Sequence, residues 1–311
     1  MGATTFLFLV FNFLAKFASS LGKIKSEMSK VYALYGSKRQ DPYLAEITGF
    51  LQDVLRRGDR VVMHPKLFNY LKERGALPSG VEEHDSPTLE ADIAVSLGGD
   101  GSFLRTAAWV AHSEIPILGV NTGHLGFLAS CDISGLSSLP DIIDRGDYAL
   151  RCHSLIEVVE PRVIGWPYAL NEVTVTKGDG ASIVNVAAKI NGEDLANYRA
   201  DGLIVSTPTG STAYNLSVGG PIVQPTAPVF VLSPIAAHSL SMRPFVIDDT
   251  SVLVLDCDSR FPKFRLTLDG RATDLPQGTR VVLAKARFVT KAVVLPGHNF
   301  AKTLREKLSW G

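Results

Sequence analysis

Residues 91–109 read ADIAVSLGGDGSFLRTAAW, an apolar run, a glycine-rich corner and a helix-like segment. This is the outline of a phosphate-binding turn. Gly98 and Gly99 let the backbone turn tightly and let a ligand come close. The free N–H groups of the following helix favour an anion. Ser102 could cap that helix, expected to start near Phe103, and Arg105 could add a positive charge one turn in. Yet the stretch holds no lysine. It also departs from the dinucleotide pattern G-x-G-x-x-G, because Leu104 stands where the third glycine would follow Gly99 and Gly101. A carboxylate beside phosphates is repulsive unless Mg²⁺ or a hydroxyl proton stands between. Asp100 therefore points either to metal binding or to activation of an attacking hydroxyl. The plain alternative is a glycine-rich turn with an Asx-type hydrogen bond.

Three further stretches carry polar groups suited to a ligand. NTGHLGFL (121–128) is a second glycine-rich corner after the next strand, so it should lie beside the first. His124 there is a catalytic candidate or a structural hydrogen-bonding residue, and Phe127 walls a pocket or belongs to the core. In ALNEVTV, Asn171 and Glu172 interrupt an apolar strand. Strand alternation sends them to opposite faces unless a bulge intervenes. Buried, they need partners, which makes polar ligand contacts plausible; the alternative is a strand end at a turn. From Tyr198 to Val223 the chain packs hydroxyls and backbone donors into PTGSTAYNLS, where Ser211 or Thr212 could cap a short helix.

The elements that must hold these residues change character along the chain. Up to about Gly126, short apolar runs (Val31–Gly36, Arg60–His64, Ala91–Gly99, Ile115–Gly123) alternate with helical spacings such as Leu44, Ile47, Leu51 and Val54. That pattern implies β-α-β units and a mostly parallel, Rossmann-like sheet. After about Leu150, strand-like runs dominate, separated by turns such as Asn191-Gly192 and Asp269-Gly270, as in an antiparallel β domain. Phe300, Leu304 and Leu308 mark a last helix that could pack back on the first half. The expected organisation is an α/β domain over 28–150, completed by a helix in 296–311, and a β-rich domain over 151–295. Residues 4–15 are apolar but too short to span a membrane and lack a preceding basic region. Residues 1–27 are therefore expected to lie outside the fold.

The chain has 311 residues, 46% of them hydrophobic and 20% charged, with Lys+Arg and Asp+Glu equal at 31 each. That balance argues against a broad nucleic-acid-binding or polybasic membrane surface. Cys131, Cys152 and Cys257 are too far apart to form metal-ligand pairs, and read as free thiols in a reducing compartment such as the cytoplasm.

Taken in order, GGDG (98–101), LGF (125–127), NE (171–172) and DG-x5-PTGSTAYNLS-x-GGP (201–221) resemble the NAD kinases, and the resemblance runs from about Lys30 to Trp310, including the closing KLSW (307–310). It implies an α/β domain joined to an all-β domain, in a homodimer or homotetramer. It implies transfer of the γ-phosphoryl of ATP, or of polyphosphate, to the 2′-hydroxyl of the adenosine ribose of NAD. Mg²⁺ or another divalent cation would accompany the ATP, with no nucleic-acid partner and no stable membrane insertion. Gly98, Gly99, Gly101 and Ser102 would form the phosphate loop. Asp100 would be the base, Gly101 would lie against the ligand, and Arg105 would hold the basic position. Phe127 would line the site, and Asn171 and Glu172 would hold the adenosine. Arg199 and Asp201 would meet the nicotinamide half or a neighbouring subunit's ligand. Thr212, Ala213, Tyr214, Asn215, Leu216 and Ser217 would line the pocket, Tyr214 stacking on adenine, and Ala236 is a looser carry-over. The chain departs from the family at Ser102, often Thr, and at Asp269-Gly270-Arg271, where a DGQ-like turn is usual. The competing readings are a lipid kinase of the same superfamily and a non-catalytic NAD(P)-binding protein.

Overall fold

A twelve-stranded sheet runs through both halves of the molecule, and a six-stranded sheet packs against its distal part. The structure is a computed structural model. It describes residues 29–310 apart from 39, 86–87, 124–125, 163–164 and 179–182. The apolar stretch at 1–27 and His124 lie outside the described residues.

The first half contains β1 (Val31–Gly36), α1 (Leu44–Arg56), β2 (Arg60–Met63), α2 (Pro65–Glu73), β3 (Val81–Glu83), β4 (Ile93–Leu97), α3 (Asp100–Val110), β5 (Ile117–Asn121), β6 (Ala129–Asp132) and α4 (Leu139–Arg145). All its strand pairings are parallel. Strands β4 and β5 are buried along their whole length. Their apolar runs are continuous because helices cover both sheet faces. On one face Ile47, Phe50, Leu51 and Val54 of α1 and Leu67, Tyr70 and Leu71 of α2 enter the core, at the spacing of an amphipathic stripe. On the other, α3 contributes Phe103, Ala107, Trp109 and Val110.

The second half continues with β7 (Ala149–Glu160), β8 (Tyr168–Ala169), β9 (Glu172–Lys177), β10 (Val184–Ile190), β11 (Glu193–Ala200), β12 (Gly202–Ser206), α5 (Tyr214–Ser217), β13 (Val229–Ile235), β14 (Phe245–Asp248), β15 (Leu253–Ser259), β16 (Lys263–Leu268), β17 (Arg271–Pro276), β18 (Arg280–Val294) and α6 (Phe300–Leu308). The six-stranded sheet, ordered β14-β13-β12-β9-β16-β17, is wholly antiparallel. Buried residues alternate along β10, β15 and β16, and their inward faces form one core with β9 and β12.

The two halves share a sheet through β18. It pairs antiparallel with β15 and β7, and near its end, at Ala292, it pairs parallel with Ile117 of β5. The residue-150 boundary expected from the sequence falls at the start of β7, inside this shared sheet. The expected strand at 91–99 is shorter, ending at Leu97, because Gly98 and Gly99 belong to the turn. Strands β3 and β6, not expected from the pattern, are only three and four residues long. Among the described residues no helix is long and apolar enough to cross a membrane.

Candidate active site

The corner between β4 and α3 is tighter than the sequence suggested. The helix begins at Asp100, with extended Gly99 as its N-cap and no side-chain cap. The expected Ser102 cap and Phe103 start are thus corrected: Ser102 lies inside the first turn and is buried. Gly98 makes this possible. Its φ is +141°, and a Cβ there would come within 2.2 Å of the Ser102 hydroxyl. Its N–H bonds Val120 O of β5 at 2.9 Å, so the corner is pinned to the neighbouring strand. The early start puts a carboxylate at the positive end of the helix, where an anion is favoured.

Asp100 reaches across to the loop after β5. Its Oδ2 accepts the Phe127 N–H and its Oδ1 the Leu128 N–H, both at 3.0 Å. Gly126 leaves the room for this, since a Cβ there would lie 2.2 Å from Asp100 Oδ1. From the far end of the chain, Lys307 Nζ stands 3.6 Å from Asp100 Oδ2 and 4.5 Å from the centroid of the Phe127 ring. Phe300 meets the same ring at 6.1 Å. Arg105 folds back past Gly101 and hydrogen-bonds the hydroxyl of Tyr35, whose pKa burial raises and Arg105 lowers.

A second cluster forms at the mouth of β9. Glu172 opens the strand and Asn171 precedes it, so the pair sits at a strand end and not within an alternating run. Asp269, itself at φ +45°, holds the turn. Its carboxylate accepts N–H groups from Leu170 at 2.7 Å, Asn171 at 2.8 Å and Glu172 at 3.1 Å. Burial raises the Asp269 pKa, and these three N–H groups oppose the shift. Burial, followed by the Asp269 charge, pushes Glu172 up to about 7, against the Tyr214 N–H. Among the described residues the buried Glu172 Oε2 has no hydrogen-bond partner, which is costly unless a ligand supplies one.

The hydroxyl-rich loop closes over this turn. Thr207 Oγ1 donates to Leu170 O at 2.5 Å, and the Gly210 N–H donates to Thr207 Oγ1 at 3.1 Å. His153 Nδ1 lies 2.7 Å from Thr209 Oγ1. Burial, and then the Arg151 charge, push His153 down to about 4, so its ring is neutral at neutral pH. The expected caps are corrected here too. Ser211 and Thr212 lie within a 3₁₀ turn and donate to Pro208 O and Thr209 O, while Ala213 is the N-cap of α5. Asn215 is fully buried, its amide bonding Ser211 O and Pro221 O and its carbonyl accepting from Ser233 Oγ. Its polar atoms hold the loop together. Tyr214 is 42% exposed as a residue; Ala213, Leu216 and Ser217 lie beside it.

The two clusters are joined from below, since Phe103, Leu128 and Leu170 belong to one buried core. The structure thus gathers Gly98 to Ser102, Arg105 and Phe127 on one side, and Asn171, Glu172 and Thr212 to Ser217 on the other. Arg199, Asp201 and Ala236 are not gathered there. Glu172 pairs with Ser206 at one end of β12, whereas Gly202, next to Asp201, pairs with Ile235 at the other. That end is about 13 Å away along the strand. There Asp201 is paired with Lys177 Nζ at 2.8 Å. Arg199 faces an open depression of about 350 Å³ with Asn185, Asn197 and Arg260. Lys307 and Gly126 entered the sequence reading only inside the KLSW and LGF motifs, with no role given to either; His153 did not enter it, and Asp269 was noted only as a turn residue. All four meet the site through tertiary contacts.

The matches to known proteins agree with this geometry. The model of the ATP-NAD kinase N-terminal domain matches residues 68–148, and that of the C-terminal domain matches residues 170–295. A glycine corner bearing a carboxylate, set beside a hydroxyl-rich loop in this two-part fold, therefore defines a phosphotransferase of the kinase class. An NAD kinase of Porphyromonas gingivalis is 41% identical over 283 residues, covering 91% of this chain and 98% of that one. An NAD kinase of Bacteroides fragilis is 35% identical over 283 residues, covering 90% and 98%. The chain belongs to the NAD kinase family. In fold it is similar to yeast NADH kinase complexed with NADH (TM-score 0.81, 22% identity, 91% of this chain and 88% of that chain covered). It is also similar to an NAD kinase from Archaeoglobus fulgidus in complex with ATP (TM-score 0.69, 24% identity, 90% and 100% covered).

Proposed function

We propose that this chain transfers the γ-phosphoryl group of ATP to the 2′-hydroxyl of the adenosine ribose of NAD, giving NADP and ADP, with Asp100 as the base. The observation that carries the reading is the setting of Asp100. Its two hydrogen bonds to the loop after β5 fix the carboxylate at the helix start. An ionised carboxylate has about four acceptor positions, so two remain for a hydroxyl. As the new O–P bond forms and the bond to ADP breaks, the hydroxyl proton passes to Asp100. A positioned base of this kind contributes on the order of 10²–10⁴-fold.

The second cluster suits the adenosine part. Glu172 has an unused buried oxygen, Asn171 stands beside it, and Tyr214 offers an exposed ring face for stacking. Among the described residues no three His, Cys, Asp or Glu side chains group to hold a metal ion. Mg²⁺ carried on ATP takes most of its ligands from phosphate oxygens and water, so no preformed cluster of carboxylates is needed. That ion would neutralise phosphate charge. The distance of Arg199 and Asp201 from Glu172 suits their meeting the nicotinamide half or a neighbouring subunit's ligand in a homo-oligomer; Ala236 stays a looser carry-over. The two-domain division and a cytoplasmic location, in keeping with three unpaired thiols, complete the reading.

The test is to incubate the protein with NAD, Mg²⁺ and ATP or polyphosphate and to measure NADP. Formation of NADP, slowed by about 10²–10⁴-fold in Asp100→Asn with NAD binding retained, is the expected result. Phosphorylation of sphingosine or diacylglycerol without any NADP would overturn it, as would NADP binding without turnover.

A further inference from the structure

The glycine corner lacks the lysine that phosphate loops commonly use to reach the β- and γ-phosphates. The nearest basic residue in sequence, Arg105, is turned toward the Tyr35 hydroxyl. The cation that faces Asp100 comes instead from α6. Its placement is built into the helix. Phe300, Thr303, Leu304 and Lys307 follow the i, i+3, i+4, i+7 stripe that points one helical face inward. Thr303 and Leu304 on that stripe are buried, and Phe300 packs on Phe127. The last place in the stripe is taken by a lysine. Asn299 fixes the helix start by accepting the Lys302 N–H at 2.8 Å. The ammonium is held by two features at once, the Phe127 ring at 4.5 Å and the Asp100 carboxylate at 3.6 Å. Both partners of the ion pair keep about a third of their side chains in solvent. Pairs of that exposure add little to stability, so the ion pair itself gives stability no reason to place a lysine here.

We propose that Lys307 is a positioning residue for phosphoryl transfer: through its contact with Asp100 it orients the carboxylate, and it supplies the positive charge that the glycine corner lacks. The inference rests on the NAD kinase reading with Asp100 as base. A carboxylate and a triphosphate repel each other as they approach. An ammonium held against the carboxylate offsets that repulsion where charge builds up in the transition state.

The experiment compares Lys307→Met, which keeps an apolar stem against Phe127, with Lys307→Arg, using the full chain. Turnover, the KM values for NAD and ATP, and the thermal midpoint are measured for both. Lys307→Met is expected to lose on the order of 10²-fold in kcat, with the KM for NAD and the melting temperature close to wild type. Lys307→Arg should recover most of the loss. A Lys307→Met kcat within about twofold of wild type would sink the proposal. So would an equal loss in both variants accompanied by a lowered melting temperature, since that marks a purely structural clamp. If the wild-type protein makes no NADP, the reading beneath the inference fails. If the wild type turns over and Asp100→Asn does not, but Lys307→Met matches wild type, the lysine inference alone fails.

Discussion

Asp100 and Glu172 are the two carboxylates that the proposed function sets against the ligand, and their surroundings are opposite. Asp100 sits at an open corner, its oxygens taken by two backbone N–H groups, with an ammonium at 3.6 Å. Glu172 sits at the mouth of β9 beside a second, buried carboxylate, and its Oε2 has no partner among the described residues. In both places a carboxylate, Asp100 or Asp269, gathers backbone N–H groups from a facing turn. In the proposed function the first carboxylate itself meets the substrate, while the second is a brace and the residue it braces meets the ligand. On that reading the contrast separates two tasks: donors around Asp100 hold the base in one orientation, whereas recognising a nucleoside uses a desolvated polar group left unsatisfied until the ligand arrives.

The strongest way to break this contrast is Asp100→Asn. Turnover should fall by about 10²–10⁴-fold, with NAD affinity from calorimetry little changed. A near-normal kcat would mean that Asp100 is a brace like Asp269. Gly126→Ala tests the same corner without touching the carboxylate. The added Cβ would occupy the space of Asp100 Oδ1, and displacing a reacting group by about 1 Å can cost on the order of 10²-fold. The measurement is kcat, with NAD binding as control. Asp269→Ala should act on the other side. It leaves three N–H groups, those of Leu170, Asn171 and Glu172, without their acceptor. A loss of about 2 kcal/mol in unfolding free energy, with a raised KM for NAD and a smaller change in kcat, is the expected outcome. A selective fall in kcat would reverse the assignment.

The sequence made the two sides of this contrast legible to different degrees. The parallel strands showed as continuous apolar runs, because they are covered on both faces, and Val31–Gly36 matches β1 residue for residue. The glycine corner and the Asn171–Glu172 pair stood out because glycines and polar residues interrupt otherwise apolar stretches. The start of α3 was misplaced because a glycine N-cap leaves no side-chain signature, and Ser102 looked like a better cap than Gly99. Gly126 carries no local signal of its purpose, since the space it leaves is defined by Asp100 from another loop. The role of Lys307, the first residue of the closing KLSW, was hidden for a similar reason. A lysine at the end of an amphipathic helix ordinarily reads as a solvated residue, and only the packing of α6 on Phe127 turns it toward the site.

The smallest effect is also the one that sharpens the contrast most directly, because it separates the two carboxylates by pH. Burial, with the Asp269 charge, raises Glu172 from 4.5 to about 7. Between those values the folded protein binds more protons at this position than the unfolded chain. Its contribution to stability is therefore fully present below about pH 4.5 and declines as pH rises toward 7 and beyond. Above pH 7 the folded state must keep a buried carboxylate beside Asp269. Glu172→Gln removes that burden, so the variant should unfold at a higher temperature than wild type at pH 8, by on the order of 1–2 kcal/mol, with the gain fading toward pH 5. Without ligand the substitution stabilises; with NAD present the gain should shrink, because the amide cannot replace the carboxylate oxygen as a second acceptor. Melting curves at pH 5 and pH 8, with and without NAD, check both halves. Identical wild-type and variant midpoints at the two pH values would show that Glu172 is hydrated, and the contrast with Asp100 would then be one of position alone.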